Sequence, residues 1–162
     1  MTTSTLYKIQ TSTCPSLLPP KTRSMIAFLE SFYQTSDTES AHEAYVKAFT
    51  PDATLKMGPK TAHGADEILT LRHGLWTHVA SRKHAPTKVF FASGNELMLY
   101  GTVRYVLKKD LESEVEVEWA GRVVFETDEE GNLEKGGGKD GEGLKMKFYQ
   151  VYLDPSAQSG KK

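Results

Sequence analysis

From Glu114 to Glu126 the chain reads EVEVEWAGRVVFE. Val115, Val117, Trp119, Val123 and Phe125 alternate there with Glu114, Glu116, Glu118, Arg122 and Glu126. Only a strand puts such a pattern to use, because successive side chains point to opposite faces of a sheet. A strand of this length with one apolar face needs partners beside it and a layer to cover it. The sequence predicts three more strands, near 84–92, 96–108 and 144–153, besides this one near 114–127. Ser93-Gly94-Asn95 supplies one turn and KKDLES a second connection. DEEGNLEKGGGKDGEG, glycine-rich and charged, supplies a long flexible loop. In the last strand, Leu144, Met146, Phe148, Gln150 and Tyr152 alternate with Lys145, Lys147, Tyr149, Val151 and Leu153.

The covering layer comes earlier in the chain. In SMIAFLESFYQ, Met25, Ile26, Leu29, Phe32 and Tyr33 recur at helical spacing, with Thr22 or Ser24 as the cap. In SDTESAHEAYVKAF, Ala41, Ala44, Tyr45, Ala48 and Phe49 share a stripe, and Ser40 with Glu43 has the form of a capping box. PDATLKMG and TAHG then read as a small hairpin around Gly58-Pro59. ADEILTLRHGLWTHVAS is a third helix pattern, apolar at Ile68, Leu71, Leu75, Trp76 and Val79, with Asp66 and Glu67 in its first turn. Helices first and hairpin-linked strands afterwards predict an α+β fold, with three N-terminal helices packed on one face of an antiparallel sheet. Gly101 and Gly121 fall inside strong strand patterns, where glycine marks a bulge or a bend. A sheet bent at both can curl into a cone-shaped α+β barrel and enclose a cavity.

A chain of 162 residues, 38% hydrophobic and 25% charged with a net charge of −1, suits one globular domain. That balance does not favour nucleic acid or an anionic membrane as a partner. No run of about 18 apolar residues is present to span a bilayer. The single cysteine, Cys14, cannot close an internal disulfide, and the N-terminus lacks a secretory pattern, so a cytoplasmic protein is expected. The expected divisions are a polar arm over 1–22, the folded domain over 23–154 and a disordered tail over 155–162.

Several side chains could carry chemistry. His84, in VASRKHAPTKVFF, shares strand parity with Lys88, which argues for a solvated place in a basic cluster. Pro86 lies between them and can break that alternation, which would free His84 to face a cavity as an acid–base group. Glu30 borders the apolar stripe of the first helix; buried, it could act as an acid–base partner, and otherwise it reaches water. Tyr33 and Tyr45 turn inward, while Trp76 and Trp119 suit either a core or an apolar pocket wall. Gln150 would bind a ligand carbonyl or a neighbouring hydroxyl. Arg122 either turns inward beside a bulge at Gly121 or pairs with neighbouring glutamates. His73 and His78 are five positions apart and do not share a helix face, so no metal site is expected. Nor is there a nucleophile motif or a phosphate loop.

Three pieces, AFTPDATLKMGPKTAHGADEILTLRHGLW, EVEWAGRVVFE and KMKFYQVYLD, together with the order of elements over residues 24 to 154, resemble the nuclear transport factor 2-like superfamily, and within it the SnoaL-like branch and uncharacterised fungal members. The resemblance implies a cone open at one end that admits a small apolar molecule. It also implies a homodimer formed through the outer sheet face. Scytalone dehydratase, of the same superfamily, carries a catalytic histidine where the strand after the third helix begins and an acid on the first helix. His84 and Glu30 are similar in position, whereas that enzyme's second histidine has no counterpart on these strands. The expectation is a small-molecule-binding cone. As an isomerase, dehydratase or cyclase needing no cofactor, it would act on an apolar or polyketide-like metabolite. His84 and Glu30 would be the catalytic pair, and Tyr33, Tyr45, Trp76, Phe90, Trp119, Phe148 and Gln150 the ligand wall. The alternative is a binding or dimerisation module without turnover.

Overall fold

The computed structural model of the chain describes residues 7–11, 18–133, 141 and 143–158. Cys14 and half of the glycine-rich loop lie outside them. In chain order the elements are β1 (Gln10–Thr11), α1 (Thr22–Ser36), α2 (His42–Lys47), β2 (Phe49–Met57), β3 (Lys60–His63), α3 (Gly64–Gly74), β4 (Val79–Phe91), β5 (Glu96–Leu107), β6 (Asp110–Phe125) and β7 (Met146–Tyr152). Residues Pro155–Gln158, at the start of the expected tail, form one 3-10 turn.

Three helices pack on one seven-stranded sheet ordered β1-β4-β5-β6-β7-β2-β3, an α+β cone whose ends do not meet. The sheet is mixed where an antiparallel one was expected. β2 runs parallel to β7, and β1, which the sequence pattern did not reveal, runs parallel to β4. The hairpin β2–β3 and the meander β4–β5–β6–β7 are antiparallel as predicted.

α1 buries Met25, Phe28, Leu29, Phe32 and Tyr33, one stripe repeating at three and four residues. Phe28 meets the Phe125 ring edge-on at 5.2 Å, and Phe32 touches the rings of Tyr45, Phe49 and Tyr149. Neither expected side-chain cap forms. Lys21 holds the N-cap position in a left-handed conformation, and Thr22 Oγ1 donates 2.6 Å back to the Pro19 carbonyl oxygen. α2 starts at His42 behind Ala41 with no side-chain cap, so the Ser40–Glu43 box is also unused. α3 ends at Gly74, short of the predicted span. Leu75, Trp76 and Val79 are still buried, but from the turn and from β4.

Bulges decide which side chains face inward, because one extra residue exchanges the two faces of a strand. β4 slips register between Val79 and Ser81, and again between Pro86 and Lys88. The second slip puts Val89 and Phe91 on the same side as His84 and Pro86, so His84 and Lys88 do not share a face. Gly101 sits opposite Pro86, and a Cβ there would run into the Ala85 carbonyl oxygen and come within 2.7 Å of Pro86 Cα. At Gly121 the pairing is continuous, with no bulge. Arg122 therefore stays on the outer face, where Nε donates 2.7 Å to Glu96 Oε1. A slip between Val124 and Phe125 passes over Lys147 and turns Tyr149 and Val151 inward.

Candidate functional site

The site grows from the C-terminal end of α1. A helix end leaves carbonyl groups without intrahelical donors, and here two buried arginines supply them. Arg72, from α3 and with no exposed surface, donates 2.7 Å to the Ser36 carbonyl, 2.6 Å to that of Thr38 and 3.3 Å to that of Thr35. Arg82, from β4, donates from Nη2 to the Ser36 carbonyl and to Ser36 Oγ. Arg72 lies over the Tyr45 ring at 4.6 Å, and Arg82 over the Trp76 ring at 4.6 Å. Burial, reinforced by the charge of Arg82, brings the Arg72 guanidinium down to about 10.

Asp37 is the residue that ends α1. Its Oδ2 accepts the backbone N–H of His84 at 2.7 Å and the Tyr7 hydroxyl at 2.8 Å. Its Oδ1 lies 2.5 Å from His84 Nδ1 and 3.6 Å from Arg82 Nε. A carboxylate only accepts, so this contact assigns the proton of a neutral His84 to Nδ1 and leaves Nε2 with a lone pair. Among the described residues Nε2 meets no hydrogen-bond partner. Burial lowers the His84 pKa below its ordinary value; the hydrogen bond and charge of Asp37 oppose that shift, and Arg82 and Arg72 add to it. The imidazole is thus neutral at neutral pH, with a fixed tautomer and a free basic nitrogen.

The ring of His84 packs 5.1 Å from that of Tyr33 and 5.5 Å from that of Trp119. The Tyr33 and Tyr149 hydroxyls are 3.0 Å apart, and burial raises both phenols well above their ordinary range. Trp119 is fixed by its Nε1, which donates 2.9 Å to the Thr102 carbonyl. Ser36, Tyr45, Arg82, His84, Trp119 and Tyr149 line a chamber of about 20 Å³, enough for about one water molecule.

Of the residues the sequence points to, His84, Tyr45 and Trp119 line this chamber, while Tyr33 packs on the His84 ring and Trp76 beneath Arg82, behind the lining. Glu30 is not. Its Oε1 accepts the Ile9 N–H at 3.1 Å and its Oε2 lies 3.6 Å from Lys8 Nζ, so it holds the N-terminal arm. The carboxylate that meets His84 is Asp37, two helical turns further on. Phe90 stands on the outer face, 45% exposed and stacked with Tyr100. Phe148 is half-buried beneath Arg122, and Gln150, paired opposite Arg122, shares that outer side. Simple alternation places both inward, and the bulge at Lys147 reverses it. The sequence does not single out Tyr7, Asp37, Arg72, Arg82 or Tyr149. One signal was present for Asp37: an acid directly after the apolar stripe, at the helix stop.

This arrangement of helices on a bent, open sheet is the nuclear transport factor 2-like fold. The chain superposes on a protein with a ketosteroid isomerase-like fold from Catenulispora acidiphila, solved with trimethylamine, at TM-score 0.64 and 15% identity over 90% of this chain and 96% of that one. It superposes on nuclear transport factor 2 from Cryptosporidium parvum at TM-score 0.59 and 15% identity, over 85% of this chain and 98% of that one. A candidate scytalone dehydratase from Novosphingobium aromaticivorans gives TM-score 0.59 and 14% identity, over 82% and 83% of the two chains. At these identities the likeness is one of fold. No family model matches the sequence, and no curated protein matches it. Among the described residues, no helix is long and apolar enough to cross a membrane.

Proposed function

We propose that the chain is a cofactor-independent acid–base enzyme acting on a small, largely apolar carbonyl compound, by isomerisation, dehydration or cyclisation. The observation that carries this is the 2.5 Å contact between Asp37 Oδ1 and His84 Nδ1, which leaves Nε2 as a free base in an aromatic-walled chamber. Nε2 takes a proton from the carbon next to the carbonyl. Electron density then moves onto the carbonyl oxygen, where a preorganised donor lowers the barrier. Tyr33 and Tyr149 hold two hydroxyl protons but share one hydrogen bond, so one proton remains for a ligand. Tyr149, on the chamber wall, is the donor in this reading. The imidazolium returns its proton to another carbon in an isomerisation, or to a departing hydroxyl in a dehydration. Asp37 stabilises the imidazolium without itself taking the proton.

The test is hydrogen–deuterium exchange. A panel of cyclic and aromatic ketones is incubated with the protein in D2O, and deuterium at the α-carbon is read by mass spectrometry. Wild type should exceed buffer, and His84→Ala and Asp37→Asn should lose about 10²-fold or more of that rate. Equal incorporation by wild type and His84→Ala would overturn the assignment.

A second reading is favoured by the size of the chamber. Room for about one water suits a module that binds or dimerises and turns nothing over. The exchange measurement separates the two: a metabolite retained in native mass spectrometry, with α-carbon exchange no faster than buffer for every ketone, supports the binding module. The finer likeness to the SnoaL-like branch rests on the sequence pieces alone. A cytoplasmic location is supported by the single cysteine. A homodimer is supported by the apolar outer face of the sheet, where Phe90, Met98, Tyr100 and Tyr152 are exposed.

A further inference from the structure

We propose that Tyr7, delivered by the N-terminal arm, is a positioning residue for the Asp37–His84 pair, an inference that rests on the acid–base reading of that pair. Residues 7–11 of the arm are built into the fold. Ile9 is 8% exposed, and its N–H is taken by Glu30. Lys8 pairs with the same carboxylate. Gln10 and Thr11 pair with Lys88 and Val89 of β4, the strand that carries His84. These contacts set the Tyr7 hydroxyl against Asp37 Oδ2, the oxygen that also accepts the His84 backbone N–H.

The consequence is a division of labour between the two carboxylate oxygens. Two donors fill Oδ2 and fix the plane of the carboxyl group, which leaves Oδ1 aimed at Nδ1. A neutral donor on Oδ2 also draws charge away from Oδ1, and so weakens the pull of Asp37 on an imidazolium. Burial, and then the charge of Asp37, push the Tyr7 phenol above its ordinary range, so it remains a donor across the range in which histidine titrates. Among the described residues, the charged and titratable groups around the His84 ring are Asp37 at the end of α1, Tyr33 on α1, Arg72 on α3 and Arg82 on β4, with Tyr45 on α2, Tyr105 on β5 and Tyr149 on β7 lining the same chamber. Among the described donors to Asp37, Tyr7 alone comes from outside these elements. Tyr7 thereby keeps His84 an unprotonated base in one tautomer.

The experiment is long-range 1H–15N NMR of the full chain labelled at histidine, titrated from acid to mildly alkaline pH. It reads the midpoint and the tautomer of His84 and needs no turnover, so it stands apart from any failure of the proposed enzyme. Tyr7→Phe should raise the His84 midpoint by about 0.5–1 pH unit and admit the Nε2–H tautomer. Placing 3-fluorotyrosine at position 7 keeps the shape and strengthens the donor, and should move the midpoint down. If Tyr7→Phe fails to fold, the fluorinated protein decides alone. An unchanged midpoint and tautomer in the folded variants, or a fluorotyrosine shift upward, would overturn the proposal.

Discussion

The guanidinium of Arg82 lies 4.6 Å above the Trp76 ring while its Nη2 donates to the Ser36 carbonyl oxygen. One side chain of β4 thus joins the end of α1 to the turn after α3. Arg72 closes the same joint from α3. Charged groups so deeply buried are tolerated because helix-end carbonyls, aromatic faces and the Asp37 carboxylate take the place of water. Ser36 and Arg82 of this joint also line the chamber, so stability and site geometry share contacts.

Arg72→Met removes the charged donors from the carbonyls of Thr35, Ser36 and Thr38. The buried acceptors left unpaired predict a loss of about 3 kcal/mol or more. Urea unfolding should show a lower midpoint at an unchanged slope. Arg72→Lys should recover less than half of the loss, because one ammonium cannot reproduce the fork that reaches three carbonyls. Full recovery by lysine would show that charge alone matters at this joint.

Gly101→Ala tests the kink in β4. The added methyl would meet backbone at Ala85 and Pro86, which cannot swing aside as a side chain can. A cost of about 2 kcal/mol or more is expected, with loss of amide-exchange protection along β4 and β5. Gly121→Ala meets side chains instead, Tyr149 Cε2 at 3.3 Å and Leu99 Cδ2 at 3.4 Å, and should cost less. The reverse ranking would mean that the bend does not depend on a bare backbone at Gly101.

What could be read from the sequence, and what could not, divides at the bulges and at the helix ends. β5 and β6 were legible because a sheet covered on one face imposes alternation over a dozen residues. His84 was legible because Pro86 flagged the break in β4. Phe90, Phe148 and Gln150 were misplaced because alternation was carried through a slip that strand chemistry does not announce. Asp37, Arg72 and Arg82 have the composition of surface residues. Only the meeting of α1, α3 and β4, a tertiary fact, turns them into a buried network. Helical periodicity overran the end of α3 because Leu75, Trp76 and Val79 are buried in either geometry.

Stability should fall as the pH drops below neutral. Burial holds His84 below its ordinary value in the folded chain, and His42 likewise, with His73 and Arg72 adding to the effect at His42. The unfolded chain therefore binds more protons as pH falls through about 6.5, and unfolding is favoured there. The loss continues until the pH is below the folded values. Asp110, Asp128 and Asp154 are held low by local hydrogen bonds and act only in the more acidic carboxylate range. Urea unfolding at pH 7.5, 6.5 and 5.5 should give a steady decline. His84→Gln should flatten that decline in part, leaving the share of His42, whatever its effect on stability at pH 7.5. A slope identical to wild type would show that His84 protonates without penalty in the folded state.

The outer face of the sheet makes the last prediction. Phe90 pairs with Met98, and Tyr100, Ala120 and Tyr152 follow one another across β5, β6 and β7. Phe90, Met98, Tyr100 and Tyr152 are each 41% to 46% exposed, an apolar cluster interrupted by Lys88, opposite Tyr100, and by Arg122, opposite Met98. Further charge lies beyond the cluster, where Arg104 pairs with Glu116 and Glu114. Exposed aromatic side chains and methionine beside arginine, with paired charges around them, match the composition of a protein interface. The proposed homodimer needs about 800 Å² from each copy. Sedimentation at micromolar concentration should give a dimer for wild type. Tyr100→Glu should give a folded monomer, because a carboxylate buried opposite a second copy has no partner there. A wild-type monomer at high concentration would remove the dimer, and would leave this cluster to a partner other than a second copy of the chain.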